Sequence, residues 1–120
     1  MAMKTVGNCM ISPVLSIEQD ENVKNTAEKI YANGVGSLLV TSNENFIGII
    51  TKTDLMVRVL RKNLDAESTQ VAEVMAQPLI SIDASETLDS ARKLLREKSI
   101  RHLAVTRDNK IVGIVSIKDL

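Results

Sequence analysis

The chain has no tryptophan, one phenylalanine (Phe46), one tyrosine (Tyr31), one cysteine (Cys9) and one histidine (His102) in 120 residues. Each scarcity removes a class of function. A lone cysteine forms no internal disulfide, which fits a reducing cytoplasm; Cys9 itself reads as a small core residue. One histidine and one cysteine supply too few ligands for a zinc site and no base–nucleophile pair, so an enzyme is not expected. Two aromatic residues cannot build a base-stacking platform. An excess of charge of either sign is missing as well. Fifteen acidic and 15 basic residues cancel, which disfavours general binding to nucleic acid or to an acidic membrane surface. Long apolar runs are absent, so no segment is expected to span a membrane. The start, Met1–Ala2–Met3–Lys4, lacks the apolar core of a secretory signal.

What is present is a globular composition, with 44% apolar and 25% charged residues. This length makes one ordinary domain, or two very small units sharing a core. A repeat decides between them. Sliding the chain by 65 positions pairs Val6–Leu55 with Val71–Leu120 without a gap. Thirteen of the 50 paired positions are identical, among them Met10/Met75, Pro13/Pro78, Gly48/Gly113 and Asp54/Asp119. Chance gives roughly three at ordinary residue frequencies. Many other pairs exchange one aliphatic residue for another, such as Val35/Ile100 and Ile50/Val115.

Each copy reads alike. A short apolar strand follows a proline, over Val14–Ile17 or Leu79–Ile82. A helix follows, opened by Asp20 or Ser85. Its apolar face is Val23, Ala27, Ile30 and Tyr31 in one copy, and Leu88, Ala91, Leu94 and Leu95 in the other. Strands Leu38–Thr41 and Phe46–Ile50 then form a hairpin across a polar turn, repeated by Leu103–Thr106 and Ile111–Val115. A further helix is expected from Leu55 to about Asn63, and Leu64–Thr69 reads as a linker. A 50-residue β-α-β-β-α unit buries its own core poorly. The expectation is therefore an α+β fold of two such repeats, 6–64 and 65–120, packed with pseudo-twofold symmetry into one compact module. The second repeat lacks its final helix.

In order, each copy carries a Met-x-x-Pro lead-in (Met10–Pro13, Met75–Pro78), an amphipathic helix, a Leu-x-Val strand, and Gly-h-x-[Ser/Thr]-x-x-Asp, with h aliphatic (Gly48–Asp54, Gly113–Asp119). The tandem resembles a pair of cystathionine β-synthase (CBS) domains, a Bateman module. It departs from the family in lacking the proline often found in the middle strand.

The motif Thr51–Asp54, with its copy Ser116–Asp119, has two physical readings. One is a helix capping box, the hydroxyl capping the turn while the carboxylate reaches back to a backbone N–H. The other is a ribose clamp, since a carboxylate offers two acceptor oxygens to paired hydroxyls. The resemblance implies the second in addition to the first. It implies a regulatory module binding an adenosine-type nucleotide (AMP, ADP, ATP or S-adenosylmethionine) in clefts between the copies, with no required cofactor. Thr51 and Asp54 would then face Ile100, Arg101 and His102. Ser116 and Asp119 would face Val35, Gly36 and Ser37. Arg101 and His102 suit a phosphate, or else form a solvated pair before a strand. Arg58, Arg61 and Lys62 read as a solvated basic face. The resemblance further implies a homodimer formed through the helices, with Val59, Leu60 and Leu64 at the contact. A structural dimerisation module with empty clefts is the alternative.

Overall fold

The computed structural model describes residues 4–120; Met1–Met3, most of the stretch read for a secretory signal, lie outside the described residues. The fold is mixed α and β, with two three-stranded sheets in the orders β1-β2-β3 and β4-β5-β6. Helix α1 is Val6–Cys9, strand β1 Ser16–Glu18, helix α2 Val23–Asn33, strand β2 Ser37–Ser42 and strand β3 Asn45–Thr51. Helix α3, Lys52–Asp54, runs into a π-helical segment, Leu55–Leu60. Helix α4, Val71–Val74, begins the second series: β4 Ser81–Asp83, α5 Leu88–Lys98, β5 His102–Arg107, β6 Lys110–Ser116, and a 3₁₀ turn, Ile117–Asp119. Among the described residues no helix is long and apolar enough to cross a membrane.

The two sheets share one register. Strand β1 runs parallel to β2 through Ile17↔Val40, and β2 antiparallel to β3 through Leu38↔Ile50. Strand β4 runs parallel to β5 through Ile82↔Val105, and β5 antiparallel to β6 through Leu103↔Val115. The hairpin turns are tight because both central residues take positive φ: Asn43 and Glu44 at 50° and 69°, Asp108 and Asn109 at 53° and 64°. Two residues in that conformation match the twist of the flanking strands.

The long helices start two residues later than the sequence reading placed them. Their caps are Asn22 and Thr87, whose side chains accept from the N–H of Asn25 and Ser90. Asp20 and Ser85 do not cap. The buried face of α2 also differs. Val23, Thr26 and Ile30 are inside, whereas Ala27 is exposed and Tyr31 is 88% exposed. Thr26 can be buried because its hydroxyl donates to the Asn22 carbonyl at 2.9 Å, so no polar atom is left unpaired.

The chain divides into two compact units whose limits differ from those of the repeat. One is Leu15–Leu79; the other joins Ile80–Leu120 to the N-terminal segment up to Val14. Each lead-in helix thus joins the sheet of the other copy. In the first unit, the Val71 and Ala72 N–H groups at the start of α4 donate to the carbonyls of Glu21 and Gln19, both at 2.9 Å. In the second, Val6 and Gly7 of α1 donate to Glu86 and Ala84, again at 2.9 Å. These bonds satisfy the orphan donors at a helix start. The cores follow the same division. Val71, Val74 and Met75 pack with Ile17, Ile30, Leu38 and Ile50. Val6 packs with Ile82, Leu95, Leu103 and Val115.

Candidate functional site

Strand β3 ends at Thr51, in extended conformation, and the chain turns at once into α3. The turn is closed by Asp54. Its Oδ2 accepts the Thr51 N–H at 2.9 Å and the Thr51 hydroxyl at 3.1 Å, and the Asp54 N–H donates to Thr51 Oγ1 at 3.1 Å. The second copy repeats this. Asp119 Oδ2 accepts the Ser116 N–H at 3.0 Å and the Ser116 hydroxyl at 2.8 Å. The capping box is therefore present twice. It occupies one oxygen of each carboxylate and leaves the other, Oδ1, outside the cap. Asp54 Oδ1 faces Arg58 Nε at 3.8 Å, with the Asp54 side chain 13% exposed.

Each turn is tied to the start of the middle strand of its own copy. The Lys52 N–H donates to the Gly36 carbonyl at 3.0 Å, and Ser37 lies opposite Thr51 in the ladder. Likewise the Ile117 N–H donates to the Arg101 carbonyl at 2.9 Å, and His102 lies opposite Ser116. Thr51, Asp54, Gly36 and Ser37 therefore gather in one unit; Ser116, Asp119, Arg101 and His102 gather in the other. Val35 and Ile100, both half-buried, pack against the two cores. Val35 also lines an open groove of about 500 Å³ with Ile30, Lys52 and Leu55. The Arg101 side chain is exposed. Among the described residues no cluster could hold a metal ion.

The motif glycines are explained by packing. A Cβ on Gly48 would stand 2.5 Å from the Ala76 carbonyl oxygen. That carbonyl accepts the Ile49 N–H at 3.0 Å, and the Ala76 N–H donates back to Ile49 at 2.9 Å. At Gly113 a Cβ would meet Met10 Sδ at 2.6 Å and the Ile11 carbonyl at 3.0 Å, and Ile11 bridges Ile114 in the same way. The first and last motifs of the repeat thus meet, each with its counterpart from the other copy.

This twofold arrangement matches a known family. A sequence profile described as "CBS domain" matches residues 6–61 and again 71–120. The chain belongs to the CBS domain family. It is a tandem CBS pair, a regulatory module. It is 30% identical to protein MK0525 of Methanopyrus kandleri over its whole length, and spans 62% of that protein. The crystal structure of the CBS domain NE2398 superposes with a TM-score of 0.85 at 32% identity, covering 98% of this chain and 94% of that one. The CBS domain protein PAE2072 from Pyrobaculum aerophilum, solved in complex with AMP, superposes with a TM-score of 0.84 at 22% identity, covering 97% and 89%. That last likeness speaks for the fold.

Sequence reasoning missed one residue of the CBS pair's first turn. Arg58 is not only part of a solvated basic face. Beside its pairing with Asp54, its Nη1 donates to the carbonyls of Val74 and Met75, both at 3.2 Å. Its spacing of four residues from Asp54 was the available signal. Val59, expected at an oligomer contact, is 6% exposed and belongs to the core.

Proposed function

We propose that this CBS pair is a ligand-sensing module for an adenosine-type nucleotide, with Asp54 and Asp119 as acceptors for ribose hydroxyls. The observation that carries the reading is the state of the two carboxylates. In both copies one oxygen is held by the cap and fixes the side chain, while the other stands outside it. A fixed carboxylate oxygen beside a helix start is a ready acceptor for a sugar hydroxyl. The AMP complex of PAE2072 supports the ligand class. In this reading Arg101, with His102 beside it, holds a phosphate, since a guanidinium offers a planar fork of donors. Val35–Ser37 and Ile100 supply apolar and backbone contacts to the base.

A thermal-shift screen of adenosine, AMP, ADP, ATP and S-adenosylmethionine tests this, followed by calorimetry. An adenine nucleotide should raise the melting temperature. Asp54→Asn should weaken nucleotide binding roughly ten- to a hundredfold, because a charged hydrogen-bond partner is typically worth about 1.5–3 kcal/mol. Asp54→Asn melted without ligand gives the separate cost of weakening the capping box. Arg101→Ala should weaken AMP and spare adenosine. Failure of every adenine compound to bind or stabilise the chain overturns the reading.

The chain is also proposed to self-associate through its helices. Tyr31, Met56, Leu60 and Leu64 are exposed apolar residues on or just after α2 and the π-helical segment.

A further inference from the structure

Arg58 joins two things that the sequence keeps apart. The π-helical segment places it one turn beyond Asp54, with Nε 3.8 Å from Oδ1. That distance is longer than a charge-assisted hydrogen bond, about 2.8 Å, so Oδ1 retains room for a second donor. The other arm of the guanidinium reaches the carbonyls of Val74 and Met75. Both carbonyls lie at the end of α4, where the chain turns extended at Met75 and helix carbonyls run out of partners. The Met75 carbonyl and the Ala76 N–H belong to one peptide group. Arg58 holds its oxygen end at 3.2 Å, and the Ile49 carbonyl holds its hydrogen end at 2.9 Å. Hydrogen bonds at the two ends of one peptide polarise each other. The segment held in this way is the one that leaves the first sheet for Ile80.

We propose that Arg58 is a positioning residue that couples the Asp54 carboxylate to the Val74–Ala76 segment, so that a donor at Asp54 Oδ1 is felt at the Met75–Ala76 peptide. The ligand half of this rests on the ribose role given to Asp54 above. The protein half does not. Oδ2 is already taken by Thr51, so a ligand hydroxyl and Arg58 address the same oxygen. Whatever changes the charge on Oδ1 changes how firmly the guanidinium sits on the two carbonyls. By linkage, the state of that segment must change affinity at Asp54 by the same factor.

The test is amide hydrogen exchange at Ala76, read by NMR on the full chain. Without ligand, Arg58→Met should speed Ala76 exchange roughly tenfold. Asp54→Asn should speed it by a few-fold, and the double variant no more than Arg58→Met alone, because both act through one contact. Arg58→Lys keeps the charge but cannot fork, so exchange should remain fast. Additive effects, or unchanged exchange in Asp54→Asn, overturn the coupling whether or not a ligand binds. With AMP as probe, Ala76 exchange should change in the wild type and not in Arg58→Met at saturating AMP. A wild type in which AMP binds without altering Ala76 overturns the coupling. A wild type that binds no adenine compound overturns the nucleotide reading and leaves the ligand-free cycle to decide the coupling.

Discussion

Replacing Gly48 by alanine tests how the lead-in segment is held against the first sheet. The new Cβ would lie 2.5 Å from the Ala76 carbonyl oxygen and 3.2 Å from Met75 Sδ. Ordinary contact begins near 3.5 Å, so the Ala76 backbone must withdraw by about 1 Å. The obstacle is backbone and cannot turn aside as a side chain does. Withdrawal strains the two hydrogen bonds between Ile49 and Ala76, at 3.0 and 2.9 Å, each worth about 1 kcal/mol net. Overpacking costs about 1–3 kcal/mol, and alanine returns about 0.4–1 kcal/mol through the unfolded chain. The expected net loss is about 1–3 kcal/mol, or a melting temperature lower by roughly 4–12 °C. Gly113→Ala is the control. There the nearest atoms are Met10 Sδ at 2.6 Å and Cγ at 3.0 Å, a flexible thioether that can swing away. Only the Ile11 carbonyl at 3.0 Å is fixed, so the loss should stay under about 1 kcal/mol. Thermal melts and urea titrations of both variants decide the matter. A Gly48→Ala protein as stable as wild type, or a Gly113→Ala protein that is the worse of the two, refutes the reasoning.

Three further outcomes are expected. Ser99 ends α5 in the left-handed region at φ 54°, where the first copy has Gly34 at φ 63°; Ser99→Gly should stabilise by about 0.5 kcal/mol in urea titration, the left-handed penalty outweighing glycine's entropy cost. Glu21 is held below the usual carboxylate range, chiefly by the Asn25 side chain and then the Asn22 N–H, and Asp83 by the Ser85 hydroxyl and N–H. A folded pKa below the unfolded one gives stability that is complete above the unfolded value and is lost as pH falls through the folded one; Glu21→Gln with Asp83→Asn should therefore flatten the melting temperature between neutral and acidic pH. Leu60 is 77% exposed; if the helices carry a dimer, sedimentation at micromolar concentration should show it in the wild type and its loosening in Leu60→Asp, because burying an unpaired carboxylate is costly.

The sequence by itself determined the repeat, the hairpins and the capped turn at Asp54 and Asp119. These depend on residues close together in the chain: Asn43–Glu44 between two apolar strands, or Thr51 three residues before Asp54. Local chemistry suffices there, and the second copy doubles the signal. It placed Val23 and Ile30 correctly on the buried face of α2 but took Ala27 and Tyr31 for Thr26, because a threonine reads as polar although its hydroxyl can go inward when it donates to the carbonyl four residues back, here Asn22. It also could not tell which sheet each Met-x-x-Pro segment joins. That choice rests on Ile49 meeting Ala76 and Ile11 meeting Ile114, pairings between residues distant in sequence that no local pattern specifies. The same is true of Arg58. Its spacing from Asp54 is legible, but its hold on Val74 and Met75 exists only because α4 packs on the first sheet, through Val71, Val74 and Met75 in that core. Tertiary structure alone decided that a strand glycine is space for a neighbouring backbone, and that an exposed-looking arginine binds the lead-in of the second copy.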